Sequence, residues 1–321
     1  MQRSKRKAIM KQHNNIEYSK GFTTTSSHSC GFTLIELLVV VAVLGILAGG
    51  ILIALNITGT LGKASLTKAK KFAASLENGL AISQVGKWSF EETSGTIAKD
   101  TSGYGSNGTF TFSVVGGWKA STQCELGFGN CIESSGNDYV SIPDNDNFSF
   151  GNSTNDKPFT LSIWVKPVNS SLQEVFISKW ASGTGIEWLF VKNSSGVPFL
   201  TLIESASGDQ ASITSNTAVR VGEWNYIVAT YNGVGGSSAA NGAEIYQNGV
   251  KISSPTRTTD VGYVAMQNTP TNVEIARSNF GVAQYFTGLI DEVQIYKEAL
   301  TLSQIQNIYV SGVITRAMAY K

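Results

Sequence analysis

One carboxylate, Glu36, stands inside a run from Phe32 to Leu55 that is otherwise apolar or small apart from Thr33. An ionised acid in hydrocarbon costs roughly 2.5–3.5 kcal/mol on insertion scales, so such a residue needs a partner and a task. Elsewhere the residue types that do chemistry are sparse. Both histidines, His13 and His28, and one of the three cysteines, Cys30, fall in the first 31 residues. A Ser-His-Asp triad, histidine-ligated zinc and a Cys-rich metal site therefore have little to draw on downstream. Glycoside hydrolysis needs two carboxylates flanking one bond. Asp291 and Glu292 are adjacent on an expected strand, where neighbouring side chains face opposite sides. The expectation is a protein that is not an enzyme.

Binding chemistry has more candidates. Cys124 and Cys131, in CELGFGNC, suit a short-loop disulfide in an exported domain, the alternative being two reduced thiols at one turn. A sugar site usually offers an exposed aromatic platform with polar neighbours. Trp88, Trp164 and Trp224 sit in alternating apolar patterns that assign them to the core. Trp118, Trp180 and Trp188 are less constrained, and Trp180, in ISKW beside an expected loop, is the candidate platform. Packing is the competing role for each.

The elements that position these residues follow from charge and periodicity. The chain has 321 residues, room for about two domains, and a net charge of +1. Residues 1–31 hold six bases against Glu17, a balance of +5, whereas the remainder holds 18 bases and 22 acids. A basic head before an apolar run is a membrane-targeting arrangement with the basic side cytoplasmic, and the acidic remainder excludes nucleic-acid binding by charge. The run's 24 residues span about 36 Å as a helix, enough to cross a bilayer with tilt. Apolar periodicity continues through Leu61, Ala69, Phe72, Ala73, Leu76 and Leu80. One helix over 32–83 is expected, weakened near Asn56, Gly59 and Gly62.

At Gly31-Phe32-Thr33-Leu34-Ile35-Glu36 the sequence resembles the cleavage site of bacterial type IV prepilins and pseudopilins. The resemblance implies that a prepilin peptidase cuts between Gly31 and Phe32 and methylates the new amine of Phe32. It also implies that Glu36 faces the N-terminal amine of a neighbouring subunit during filament assembly, and cleavage would remove both histidines. A buried acid is tolerable when an ammonium pairs with it. A plain single-span anchor is the alternative. The leader is long for the group, and no proline interrupts the apolar helix.

From about Gly86 the texture changes to short alternating segments. FTLSIWVKP (159–167), WNYIVATYNG (224–233), EIYQNGVKI (244–252) and LIDEVQIYKEAL (289–300) read as strands. Asn248-Gly249 and Asn232-Gly233 read as turns, and Thr301-Leu302-Ser303-Gln304 as a capping box opening a helix. GKWSFEETSG, DTSGYGSNGTF, DYVSIP, FTLSIWVKP, IYQNGVKI and GLIDEVQIYKEALTLSQIQNIY, in that order, resemble a laminin G-like jelly roll of the concanavalin A type. That implies a two-sheet sandwich binding carbohydrate or protein, often with a structural calcium. Asp100, Asn107 and, by the resemblance, Asp291 are the expected ligands, with turn formation as the competing role. Laminarinase-like relatives carry several acids at alternate positions of one strand; no strand here does.

The expected architecture is α+β, a long N-terminal hydrophobic helix followed by an all-β jelly roll. Its parts are a leader (1–31), an assembly helix (32–83), the sandwich (84–310) and a tail (311–321). The expected function is a type IV pilin-like subunit displaying a lectin-like domain toward a glycan or surface protein. It would reside in the inner membrane before assembly and on a cell-surface filament afterwards. The alternatives are a pseudopilin of a type II-like secretion system and a membrane-anchored carbohydrate-active enzyme.

Overall fold

The computed structural model describes residues 80–124, 129–169, 171–182, 185–279 and 282–319. The chain divides into two units, 1–70 and 71–321, and the described residues belong to the second. The expected cleavage site Gly31–Phe32, the methylated amine, Glu36 and the spanning helix lie outside the described residues. Among the described residues no helix is long and apolar enough to cross a membrane.

In chain order the first strands are β1 (Gln84–Trp88), β2 (Ile97–Ala98), β3 (Gly108–Thr111), β4 (Gly117–Lys119), β5 (Cys131–Ser135) and β6 (Tyr139–Ile142). A short helix, α1 (Ser121–Cys124), separates β4 from β5. Next come β7 (Phe159–Pro167), β8 (Glu174–Ala181), β9 (Gly185–Lys192), β10 (Pro198–Ile203), β11 (Gln210–Thr214) and β12 (Asn225–Tyr231). The last are β13 (Ala243–Gln247), β14 (Val250–Lys251), β15 (Thr256–Thr259), β16 (Val273–Ile275), β17 (Arg277–Ser278), β18 (Gln284–Tyr285) and β19 (Thr287–Tyr296), followed by helix α2 (Leu302–Ala319).

The strands form two antiparallel sheets and a small ribbon. One sheet runs β14-β13-β12-β7-β19-β5-β4, with β1 also pairing β19; the other runs β15-β11-β10-β9-β8-β16-β6-β3-β2. Period-two patterning makes this a sandwich. On β7, Phe159, Leu161, Ile163 and Val165 point into the main core with Phe176, Trp188 and Phe190 of the opposing sheet. The residues between them, Thr160, Ser162 and Trp164, face outward yet are buried. Their cover is α2: Trp164, Tyr226, Tyr246 and Tyr296 pack with Leu300 and Ile305, and Tyr309 stacks on Trp164 at 5.7 Å. Burying each such side chain contributes about 1.5–3 kcal/mol, so β7 and β12 are held from both sides.

Local chemistry fixes the ends. Asn248 and Gly249 both have positive φ, 52° and 76°, the pairing a two-residue hairpin between β13 and β14 requires. The capping box is present: Gln304 Oε1 accepts from the Thr301 N–H at 2.8 Å, and Thr301 Oγ1 accepts from the Gln304 N–H at 3.3 Å. Helix α2 continues through position 310 to Ala319, into the expected tail at 311–321. No helix-breaking residue stands at 310, and Gly312 alone does not end the helix.

Candidate functional site

The loop from Asp100 to Asn107 is built around one carboxylate. Asp100 Oδ1 accepts from the backbone N–H groups of Lys87 (3.0 Å) and Ser102 (2.9 Å), and Oδ2 from that of Ser106 (2.8 Å). Asn107 Oδ1 accepts from the Asp100 N–H at 2.9 Å. A cation needs those oxygens turned toward it, and here they face donors. Asp291, the third expected ligand, is fully buried on β19, where its Oδ1 accepts from the Glu292 N–H at 2.8 Å. Among the described residues no three His, Cys, Asp or Glu side chains group as a metal site. In this arrangement the Asp100 and Asn107 oxygens are engaged by backbone donors.

Around Asp291 the expected alternation fails. The register between β19 and β7 shifts between Asp291 and Gln294, and Glu292 has a φ of 46°. This is a bulge, in which two residues oppose one. Asp291 pairs with the outward Trp164, and Glu292 Oε2 accepts from Gln294 Nε2 at 3.1 Å, so both acids stand on the outer face. The expectation that they face opposite sides is corrected. Lys87 Nζ lies 3.5 Å from Glu292 Oε2, and Gln84 Nε2 donates to Gln294 Oε1 and to the Tyr296 hydroxyl. This polar ladder was not legible beforehand, because a bulge at a non-glycine residue leaves no pattern in a single sequence.

The expected disulfide joins Cys124 to Cys131, with Cα atoms 5.9 Å apart. Trp224 Nε1 donates to the Cys124 carbonyl at 2.7 Å and so ties α1 to the outer face of the first sheet. Trp224 therefore packs and anchors there. The sequence assigned it to packing, but the hydrogen bond joins residues a hundred positions apart. Beside this arm lies a cleft of ≈ 240 Å³, open to solvent, lined by Lys119, Gln123, Glu133, Lys166, Val168 and Leu289 over Gly222 and Gly288. The register places Glu133, Leu289 and Lys166 in one row across β5, β19 and β7. Lys119 Nζ is 2.7 Å from Glu133 Oε2. A Cβ on Gly288 would meet the Lys166 carbonyl at 2.2 Å, so only glycine permits this approach of β19 to β7. Sequence reasoning missed the cleft, since its walls come from four strands and α1.

Trp180, the expected platform, is half-buried against Val175, Leu189, Val191 and Phe199 on the outer face of the second sheet. Buried charge networks brace the sandwich. Lys179 Nζ, fully buried, lies 2.6 Å from Glu187 Oε1 and 3.0 Å from Asp144 Oδ1. Burial raises the Glu187 pKa against the opposing pull of Lys179 and Thr269. Asp156 accepts from the Tyr231 and Tyr263 hydroxyls at 2.7 and 2.8 Å and from the Met266 N–H at 2.8 Å. Its pKa is also raised, desolvation outweighing those donors. Near the cleft, burial opposes the Asp138 charge too, but hydrogen bonds from Ser135 and Ser113 prevail and its pKa is lowered. Each carboxylate has an evident bracing role.

Comparison with known proteins places these features. Residues 134–306 match the model of the Concanavalin A-like lectin/glucanases superfamily, and residues 26–52 match the prokaryotic N-terminal methylation motif. The chain is similar to adhesion G-protein coupled receptor V1 of Danio rerio, 31% identical over 157 residues, which are 47% of this chain and 2% of the receptor. Among solved structures it resembles the binding domain of botulinum neurotoxin DC in complex with rat synaptotagmin II. The TM-score is 0.52 at 16% identity, covering 73% of this chain and 52% of that one. The structure of botulinum neurotoxin type C described with two ganglioside molecules gives a TM-score of 0.51 at 16% identity, covering 74% and 53%. The chain thus spans a small fraction of the receptor and about half of each toxin chain, and the structural likenesses establish fold alone. With the two-sheet sandwich and the matched leader, the chain belongs to the Concanavalin A-like lectin/glucanases superfamily and carries a type IV pilin N-terminal methylation motif.

Proposed function

We propose that this protein is a minor subunit of a type IV pilin-like filament whose sandwich adheres to a glycan or surface protein. The observation that carries the reading is the presence, in one chain, of a prepilin methylation motif at 26–52 and a lectin-type sandwich. In this reading the peptidase cuts between Gly31 and Phe32, Phe32 is methylated, and Glu36 pairs with a neighbouring subunit's amine. The chain starts in the inner membrane and ends in a filament with the sandwich outside the cell. A head of more than two hundred residues opposes dense helical packing of identical subunits, which favours a minor position.

The test is the mass of the N-terminal peptide of protein isolated from its native membrane. A peptide starting at methylated Phe32 supports the reading. One that retains residues 1–31 refutes filament processing and leaves a membrane-anchored lectin-like domain.

A further inference from the structure

Lys179 brings an amine between two carboxyl groups out of contact with solvent. Its Nζ lies 2.6 Å from Glu187 Oε1, 3.0 Å from Asp144 Oδ1 and 2.5 Å from the Thr269 carbonyl oxygen. The Lys179 and Glu187 side chains are fully buried, and that of Asp144 is 29% exposed. Glu187 Oε1 is held by the Thr269 N–H at 2.7 Å and by the Thr269 and Ser149 hydroxyls at 2.8 and 3.1 Å. Its Oε2 is buried with no hydrogen-bond partner among the described residues. Strand order creates this meeting. β16 lies between β6 and β8, with Val273 paired to Ile142 and Glu274 to Ser178. Lys179 is the residue after Ser178 and Asp144 follows Ile142 by two, so their side chains meet past the start of β16.

One ammonium faces two carboxylates here, and burying charge is costly even when it is paired. Burial raises the Glu187 pKa, which makes its carboxylate a stronger base than an exposed one. Amide formation needs an amine, a carboxyl carbon and a group that moves protons between them, and these three residues supply each. Attack requires Nζ to pass from Asp144 Oδ1 to the Cγ bonded to it, one C–O bond of about 1.2 Å away. Reactants held together in this way reach effective molarities of roughly 10⁵–10⁸ M. The partial exposure of Asp144 gives the water that is lost a way out.

We propose that Lys179 and Asp144 join spontaneously in an isopeptide bond, with Glu187 carrying the protons. Glu187 takes a proton from the Lys179 ammonium and passes it to the Asp144 carboxylate, and the neutral amine then attacks Cγ. A second proton moves from nitrogen through Glu187 to the departing hydroxyl. The Nζ–Cγ bond forms, a Cγ–O bond breaks, one water leaves, and no oxidant or reductant takes part. Two of the three charges vanish, and the amide N–H that remains donates to Glu187 or to the Thr269 carbonyl. The bond ties β8 to the chain after β6 and is independent of the adhesive reading. The buried pair of Lys192 and Glu174, 2.9 Å apart, has no second carboxylate beside Lys192 among the described residues, so it stays ionic.

The test is peptide mass spectrometry of the full chain, reduced, denatured and cut after glutamate. Cleavage after Glu133, Glu174 and Glu187 places Asp144 in segment 134–174 and Lys179 in segment 175–187. The expected result for wild type is one joined species, lighter than the two segments together by one water, with fragmentation locating the link at Asp144 and Lys179. Trypsin should also fail to cut after Lys179 while cutting after Lys192. Asp144→Ala, at a partly exposed position, should abolish the joined species and restore cleavage after Lys179. Glu187→Gln should lower the joined fraction at least tenfold. Melting temperatures check that both variants are folded. Separate segments of full mass in wild type, or a lost water placed elsewhere, overturn the proposal. Joining in Glu187→Gln to the wild-type extent overturns the role of Glu187. If Glu187→Gln does not fold, the wild-type and Asp144→Ala masses still decide whether the bond exists.

Discussion

Asp100 holds three N–H groups from Lys87, Ser102 and Ser106, the work a metal does in other loops. Removing an acceptor leaves donors unsatisfied, at about 1–3 kcal/mol where water is excluded. Asp100→Ala is therefore expected to destabilise the sandwich by about 1–2 kcal/mol in urea titrations. A chelator should leave the wild-type melting temperature unchanged, and a calcium-dependent rise would restore the ion to this loop. Buried acids set the pH response. Asp156, Glu174 and Glu187 all have raised pKa values, with burial the leading cause. A carboxylate that binds its proton more tightly folded than unfolded stabilises the fold at low pH, and that stability is lost as pH rises through the folded pKa. The melting temperature is expected to be higher near pH 5 than near pH 8, with a shallower slope in Asp156→Asn. An equal slope in that variant assigns the effect to the other two acids.

At the scale of elements, two devices hold the outer face of the first sheet. The Cys124–Cys131 bond closes a loop of about eight residues, for which chain entropy gives about 2.5 kcal/mol. Reduction, or Cys124→Ser with Cys131→Ser, should lower stability by about that amount and loosen α1, because Trp224 is bonded to the Cys124 carbonyl. Trp224 fluorescence reports the loosening against the other five of the chain's six tryptophans, so the difference between oxidised and reduced spectra is the quantity to follow. The other device is α2. Thr301→Ala removes its N-cap oxygen and is expected to cost about 1 kcal/mol, read by urea titration. A far larger loss would mean that α2 and the Trp164 cluster come apart together, since Tyr309 stacks on Trp164.

For the whole molecule, filament incorporation is the property to measure. Glu36→Ala should leave the sandwich folded but reduce recovery in sheared filaments strongly, because it leaves a neighbour's amine without its acid. Gly31→Ala should block leader removal, visible as a heavier chain. If the Glu36→Ala protein assembles at wild-type levels, Glu36 is an interfacial acid with no pairing role in assembly.

The sequence by itself determined what local rules encode. The leader motif is contiguous, β7 alternates without a break, Asn248-Gly249 dictates its hairpin, and the Thr301–Gln304 box starts α2 where spacing placed it. The paired cysteines were legible because seven positions separate them. Tertiary structure alone decided the rest. The bulge at Glu292 put two adjacent acids on one face, and the neighbours of Asp100 made its carboxylate a hub for N–H groups. Packing assigned Trp180 to a cluster with Phe199, and the cleft arose from residues between 119 and 289 brought together by strand order. Period and capping are properties of consecutive residues, whereas what a side chain faces depends on which strand lies beside it, and that is set by the closure of the whole sandwich.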